Sequence, residues 1–170
     1  MNTLKNKKLL KSIKLLAYYE IIGGVIGLLV LSYFFFVTSS IQLPLLIALS
    51  IGAIFFLFSI FSGYQLLYGN LATALNLSLI TQMLQLISFA VSGYALLLVS
   101  GLMISVGLEL TNGFEVSSGF SLSEYDFNFN NEKELVIFKI NLVAVFLIYQ
   151  IIKIKSKLTE INLETSRQIA

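Results

Sequence analysis

Few side chains in this 170-residue chain could perform chemistry. It contains no histidine and no cysteine, which removes imidazole bases, thiolate nucleophiles and the usual ligands of zinc and iron–sulfur sites. No G-x-S-x-G motif presents a serine nucleophile, and no histidine could activate one. We therefore predict no catalytic residue, no metal site and no cofactor, and we expect that the protein is not an enzyme.

Five polar side chains interrupt apolar stretches and form the candidate site. If each stretch is a membrane helix, all five lie towards its cytoplasmic end, at similar depth. Polar groups buried in lipid must find hydrogen-bond partners or water. They could bond the helices to one another, or line a cytoplasm-facing pocket in which Glu20 is the ionisable group. The five are Glu20, Gln65, Gln82, Gln85 and Gln150.

The stretches that carry these residues are apolar enough for lipid. The chain is 57% hydrophobic and 12% charged, and that charged fraction is about half of the usual quarter. A membrane-spanning helix requires ~20 mostly apolar residues. The sequence predicts an all-α integral membrane fold, a four-helix transmembrane bundle that forms one domain over residues 1–170. The spans cover about 13–37, 43–68, 77–100 and 135–154.

Lysine and arginine residues orient the predicted spans. Basic residues are concentrated before the first span and after the last, whereas the segment between the third and fourth spans is mainly acidic. Because basic segments remain on the inner side, tails 1–12 and 155–170 are predicted to be cytoplasmic, in a multi-pass protein of the plasma (inner) membrane. A cleaved signal peptide is the alternative, but the first apolar run exceeds the roughly 7–15 residues of a signal core.

Small residues recur at helical spacing inside the predicted spans. Gly23 and Gly27 form a GxxxG pair, and Ala48 with Gly52 repeats the spacing in the second span. Such residues let helix backbones approach closely in lipid. They could pack the helices of one bundle or form the seam of a homo-oligomer.

The segment between the third and fourth spans, about 101–134, alternates apolar and polar residues around Asn112-Gly113. A two-residue turn there would place the two apolar sets on opposite faces. A three-residue loop with left-handed Gly113 pairs Leu108 with Val116 and puts both sets on one face. We predict a small extracytoplasmic β-hairpin, extended to a meander by a third strand from Tyr125. Continuation of the third span as a helix through Leu110 is the competing interpretation.

The apolar face of this segment is the candidate contact surface. It could cap the outer helix ends, dock onto another protein or lie among lipid headgroups. We expect a non-catalytic interaction or assembly subunit that contacts the lipid bilayer and a membrane-protein partner or second copy, but no nucleic acid. The alternative is a small transporter or channel component that uses the polar cluster around Glu20. The surface comprises Phe114, Val116, Phe120, Tyr125, Phe127 and Phe129.

Overall fold

The computed structural model describes residues 2–38, 42–92, 94–111, 113–128 and 136–169. Within these ranges the chain forms three helices, then six strands, then a fourth helix. The helices are α1 (Asn2–Val37), α2 (Leu43–Tyr68), α3 (Leu71–Leu84) and α4 (Leu142–Ile169). The strands are β1 (Ile87–Val91), β2 (Tyr94–Leu98), β3 (Leu102–Glu109), β4 (Glu115–Leu122), β5 (Tyr125–Asn128) and β6 (Val136–Asn141).

The helices α1 and α2 form an antiparallel pair whose backbones lie close together. A Cβ added to Gly27 would lie 2.1 Å from the ring of Phe56, so only glycine permits this approach. At the other end of the pair, a Cβ on Gly63 would lie 2.6 Å from the carbonyl oxygen of Ala17. Residues Lys7–Val37 of α1 and all of α2 are long and apolar enough to cross a membrane, judged by length and composition.

All six strands belong to one antiparallel sheet that curls into a half-barrel, in the order β4-β3-β6-β1-β2-β5. The centre of the sheet combines strands that are distant in sequence, because β6 lies between β3 and β1. The predicted four-helix transmembrane bundle is therefore wrong. The structure instead has two long apolar helices, two further helices and a six-stranded sheet.

The prediction of a third span over 77–100 fails because that stretch changes its secondary structure midway. Helix α3 ends at Leu84, and the remaining apolar residues form β1 and β2. The turn that joins these strands includes Ser92, whose φ of 48° is left-handed. An apolar run by itself does not distinguish a helix from a strand. Pairing with β6 and β5 supplies the backbone hydrogen bonds that a helix would otherwise make.

The predicted fourth span over 135–154 begins as a strand. Val136–Asn141 is β6, and α4 starts at Leu142. The side chain of Asn141 caps the helix, because its Oδ1 accepts hydrogen bonds from Val143 N (3.0 Å) and Ala144 N (3.3 Å).

The prediction of a small separate hairpin that extends to a meander is also wrong. Leu108 pairs with Val116, the register that the alternation predicted, but the β3–β4 pair is part of the larger sheet rather than a separate hairpin. The strand beginning at Tyr125 does not follow β4 as a meander. It pairs with β2, at the opposite edge of the sheet. The apolar stretch 96–110 is not helical either, since it contains the end of β2 and all of β3.

Two buried apolar clusters pack against different parts of α1. Ile13 and Leu16 belong to the first, which joins α1 to α2, α3 and α4. Leu31 belongs to the second, with Phe55 of α2 and Leu98 of β2. The first part of α1 therefore packs against helices, and its later part packs against α2 and the sheet. Glu20 lies on α1 between the two clusters.

Candidate functional site

Glu20 is the centre of a buried polar network. Its side chain is fully buried. The carboxyl Oε1 accepts hydrogen bonds from Ser78 Oγ (2.5 Å) and Gln82 Nε2 (3.0 Å), both on α3. The backbone carbonyl of Glu20 accepts a further bond from Ser59 Oγ of α2 (3.0 Å). One residue of α1 therefore bonds two other helices, through its side chain and through its backbone.

The network continues into the loop between β2 and β3. Ser59 Oγ lies 2.7 Å from Ser100 Oγ. The backbone N–H of Ser100 donates to Gln85 Oε1 at 2.7 Å, and Gln85 Nε2 donates to the carbonyl of Thr81 at 3.2 Å. The end of α3 and the β2–β3 loop are thus connected through one buried glutamine side chain.

Two further side chains fix the sheet to α1. Ser123 Oγ accepts from Gly101 N at 3.0 Å and donates to the carbonyl of Gly23 at 2.9 Å. The hydroxyl of Tyr19 donates to the carbonyl of Leu102 at 3.0 Å and accepts from Leu102 N at 3.1 Å. These bonds hold the start of β3 and the end of β4 against the same part of α1.

Three buried atoms at the centre of the network have no hydrogen-bond partner among the described residues. They are Glu20 Oε2, Ser62 Oγ and Gln82 Oε1. Among the described residues, the hydrogen bonds to the Glu20 carboxyl group that meet the geometric limits all go to Oε1. The arrangement connects helices by hydrogen bonds, and no group of three acidic side chains in the described chain could hold a metal ion.

The five residues of the predicted polar cluster do not all meet. Glu20 bonds Gln82 directly, and Gln85 joins the same network through Ser100 and Ser59. Gln65 is half-buried near Gly69 at the end of α2. Gln150 lines a separate, mostly apolar cavity of about 430 Å³ between α1 and α4.

The sheet has the opposite polarity to that of a soluble protein. Its exposed side, the convex face, has apolar side chains at five neighbouring positions of β3 and β6. The apolar surface extends to positions of β1 and β4. A sheet with one solvated side usually turns its apolar residues inward. Here apolar side chains that are 37–73% exposed cover the convex face. They are Ile87, Phe89, Ile104, Val106, Leu108, Val116, Phe120, Leu122, Phe138 and Ile140.

The opposite side of the sheet, the concave face, lines a cavity of about 270 Å³. Lys139 is its basic residue. A Cβ on Gly107 would lie 2.6 Å from Lys139 Cγ, so the lysine side chain passes over a glycine. A Cβ on Gly119 would lie 3.9 Å from Lys139 Nζ and 2.9 Å from Ser105 Oγ, so the ammonium group ends near a second glycine and a hydroxyl. Ser88, Ser121, Glu124 and Asp126 also line this cavity.

The residues of the predicted contact surface separate into three groups. Phe114, Val116 and Phe120 are exposed, at 72%, 69% and 73%. Tyr125 instead packs against the second apolar cluster, and its hydroxyl donates to the carbonyl of Ala48. Phe127 pairs its backbone with Leu96. The side chain of Phe127 and the whole of Phe129 lie outside the described part of the chain.

Sequence reasoning missed the serines of the network and the lining of the concave cavity. Ser78 and Ser100 carry no signal of their own, because serine is common in apolar helices and loops. The cavity did have a signal in the small and polar residues that alternate with the apolar ones along β3 and β4. Ser105 and Gly107, two of these small and polar residues, are buried.

The fold and site define a protein with two long apolar helices joined through a buried polar network to a curled sheet whose exposed face is apolar. No protein-family model, curated protein or solved structure matches the chain. What the protein does must therefore be inferred from its own geometry.

Proposed function

We propose that the protein is an integral membrane protein that acts without catalysis, as an assembly subunit within the bilayer. The apolar convex face is the observation that carries this proposal. Soluble monomers rarely expose contiguous apolar patches larger than a few hundred Å². Here side chains such as Phe120 and Val116, 73% and 69% exposed, lie on the same surface as Ile104 and Leu122. Such a face is suited to contact with lipid or with another membrane protein.

The packing of the sheet against α1 and α2 supports its location at membrane depth. Leu98 of β2 packs with Leu31 of α1 and Phe55 of α2. Tyr125 of β5 bonds the carbonyl of Ala48, inside α2. If α1 and α2 cross the bilayer, the sheet lies beside their spanning parts. Apolar residues facing lipid and polar residues facing inward are then the arrangement expected of membrane-embedded strands.

The outer edge of β4 suggests how two subunits join. In the described chain, β4 is the last strand of the sheet and pairs only with β3. Unpaired backbone N–H and C=O groups are costly in a hydrocarbon environment, and open sheet edges are not found facing lipid. Antiparallel pairing with β4 of a second copy satisfies these groups and creates a two-fold symmetric interface.

Charge supports an orientation with both chain ends in the cytoplasm, in the plasma (inner) membrane. Lys8 and Lys11 are exposed at the start of α1, and Lys153 and Lys157 are exposed on α4. α3 and α4 pack beside the first part of α1, which brings the two basic segments to the same side of the molecule. Basic residues are retained on the cytoplasmic side of a membrane.

Single-cysteine crosslinking tests the assembly proposal, because the chain contains no native cysteine. Cysteines are introduced one at a time from residue 115 to 122, and native membranes are treated with an oxidant. We expect disulfide-linked dimers that are most abundant near Ser118, the middle of β4, and decrease towards both ends. Ser156→Cys, at an exposed position of α4, is the control and should remain monomeric. Monomers at every position of β4 would contradict the proposed interface.

The alternative of a transporter or channel component around Glu20 has weaker support. Glu20 is fully buried, and its Oε1 already accepts two hydrogen bonds from α3. A transported species would reach this group only after α1 and α3 separate. The geometry favours a structural role for the network.

A further inference from the structure

The α1–α4 cavity is an apolar groove of about 430 Å³ with an amide side chain in its wall. Leu15 and Leu16 of α1 face Phe146 and Leu147 of α4 across it. Gln150 lies along the α4 wall, and in the described chain its amide makes no hydrogen bond. An amide at membrane depth requires a hydrogen-bond partner or water. The groove therefore suits a ligand that is mainly apolar and carries oxygen atoms near Gln150.

The two ends of the α1–α4 cavity have different surroundings. At one end lies Tyr19, whose hydroxyl bonds the start of β3. Ser12 and Ile154 line the other end, and the basic segments of α1 and α4 continue beyond them. If α1 crosses the bilayer with its start in the cytoplasm, the cavity runs from the cytoplasmic membrane surface towards the membrane interior. A lipid would therefore place its headgroup at the basic end and an acyl chain inside.

Two lysines lie about one helical turn beyond the basic end of the cavity. Lys8 is four positions before Ser12 and Lys157 is three positions after Ile154, so each lies on the helix face that lines the cavity. Both are exposed, and in the described chain their ammonium groups make no ion pair or hydrogen bond. No acidic side chain is among the residues that line the cavity. The basic end therefore attracts an anionic group.

We propose that the α1–α4 cavity binds an acyl chain of an anionic phospholipid of the cytoplasmic leaflet, with the phosphate at Lys8 and Lys157. In a phospholipid the ester groups lie between the phosphate and the acyl chains. The cavity has the same order of groups, because its lysines are followed by Gln150 and then by apolar side chains. A rise of ~1.5 Å per residue places Gln150 ~10 Å further into the membrane than Lys157. Its amide donates to an ester carbonyl.

The size of the cavity favours a lipid chain over a helix of a partner protein. A volume of about 430 Å³ falls within the roughly 300–1,000 Å³ of small-molecule sites. A helix ~10 Å wide would have to separate α1 from α4, and Ile13, Ile151 and Ile154 of these helices are buried in one apolar cluster. The inference rests on the membrane placement proposed above, but not on dimer formation through β4.

Native mass spectrometry of the purified full chain in an uncharged detergent tests the anionic ligand. The probes are dioleoylphosphatidylglycerol and dioleoylphosphatidylcholine, which have the same acyl chains but differ in net charge. We expect saturable binding of one phosphatidylglycerol per chain, and weaker binding of phosphatidylcholine. Lys8→Gln and Lys157→Gln should each weaken phosphatidylglycerol binding about fivefold, the effect of one lysine near a membrane surface. Lys14→Gln, at an exposed position of α1 outside the cavity, is the matched control and should bind normally.

A second pair of variants tests the cavity itself. Ser12→Phe places a ring at the basic end of the cavity, so it should hinder entry of the acyl chain and weaken binding of both lipids several-fold. Ser156→Phe, on α4 outside the cavity, is the matched control and should bind like the wild type. Both serines are exposed, so both variants should fold normally.

Equal affinity for the two lipids, or normal binding by Lys8→Gln and Lys157→Gln, would overturn the anionic ligand. Normal binding by Ser12→Phe would overturn the cavity in favour of a charged surface that attracts the lipid. Dimers in the wild-type spectra that Ser12→Phe converts into monomers would overturn the lipid in favour of a second copy of the chain. These results leave the membrane placement intact. A chain that stays soluble without detergent would overturn that placement and the lipid site together.

Discussion

Glu20 shows how a single polar residue can organise an apolar helix. Its Oε1 receives hydrogen bonds from Ser78 and Gln82, and its backbone carbonyl receives one from Ser59. Apolar side chains provide no hydrophobic drive for helix association in lipid, so such directional bonds choose which helix faces meet. The network also reaches the β2–β3 loop through Ser100.

The substitution Glu20→Leu should lower the stability of the protein in detergent. It leaves the Ser78 hydroxyl and the Gln82 amide without their acceptor in a buried site, which costs about 1–3 kcal/mol of unfolding free energy. Thermal unfolding followed by circular dichroism at 222 nm measures the change. Gln65→Leu, at a half-buried position outside the network, is the matched control and should change little. A role in transport would instead appear as lost cellular activity with unchanged stability.

The sequence predicted only in part which polar side chains contact one another. Position along a helix gives depth, and on that basis Glu20, Gln65, Gln82, Gln85 and Gln150 belong together. Contact also requires that the side chains point towards the same neighbour. Gln150 lines the α1–α4 cavity instead, because the rotation of α4 is set by the residues that it packs, among them Ile151 and Ile154.

The β3–β4 pair illustrates what alternation shows about an element. Alternation with a period of two places the residues of a strand on two faces. In a pair of strands, the apolar residues of both must lie on the same face of the sheet. That condition predicted Leu108 opposite Val116 and a positive φ at Gly113, and the structure has both, with a Gly113 φ of 139°. Alternation does not say which face is covered. Lysine and serine lie inside the curl, and the apolar residues lie outside it.

Tryptophan fluorescence tests whether the convex face contacts lipid, since the chain contains no native tryptophan. Val106→Trp, at a 45% exposed position of the convex face, should lose most of its emission in bilayers of brominated lipid compared with unbrominated lipid. The cause is direct contact of the indole with bromine on the acyl chains. Ser156→Trp on α4 should be little affected. Strong emission from Val106→Trp in brominated bilayers would show that protein or water covers this face.

For the whole molecule, we expect that both chain ends lie on the cytoplasmic side. Phe114→Cys, at a 72% exposed position beyond the end of β3, should react with a membrane-impermeant thiol reagent in intact cells. Ser156→Cys, which is exposed on α4 between Lys155 and Lys157, should react only after the cells are permeabilised. The physical reason is retention of basic segments inside. Labelling of Ser156→Cys in intact cells would reverse the proposed orientation.

The sequence by itself determined the two long apolar helices, which are the two helices long and apolar enough, by length and composition, to cross a membrane in the part of the chain that the structure describes. It also determined the local register of β3 with β4, which depends on a short turn and a period of two. The stretches 77–100 and 135–154 could not be assigned in this way. Their residues suit a helix or a strand, and only pairing between β1 and β6, about fifty residues apart in sequence, decides for the sheet. Tertiary structure alone also decided which face of that sheet is covered, because the strand order and the curl determine which residues are enclosed. The enclosed face contains Lys139, and the exposed face contains Phe120.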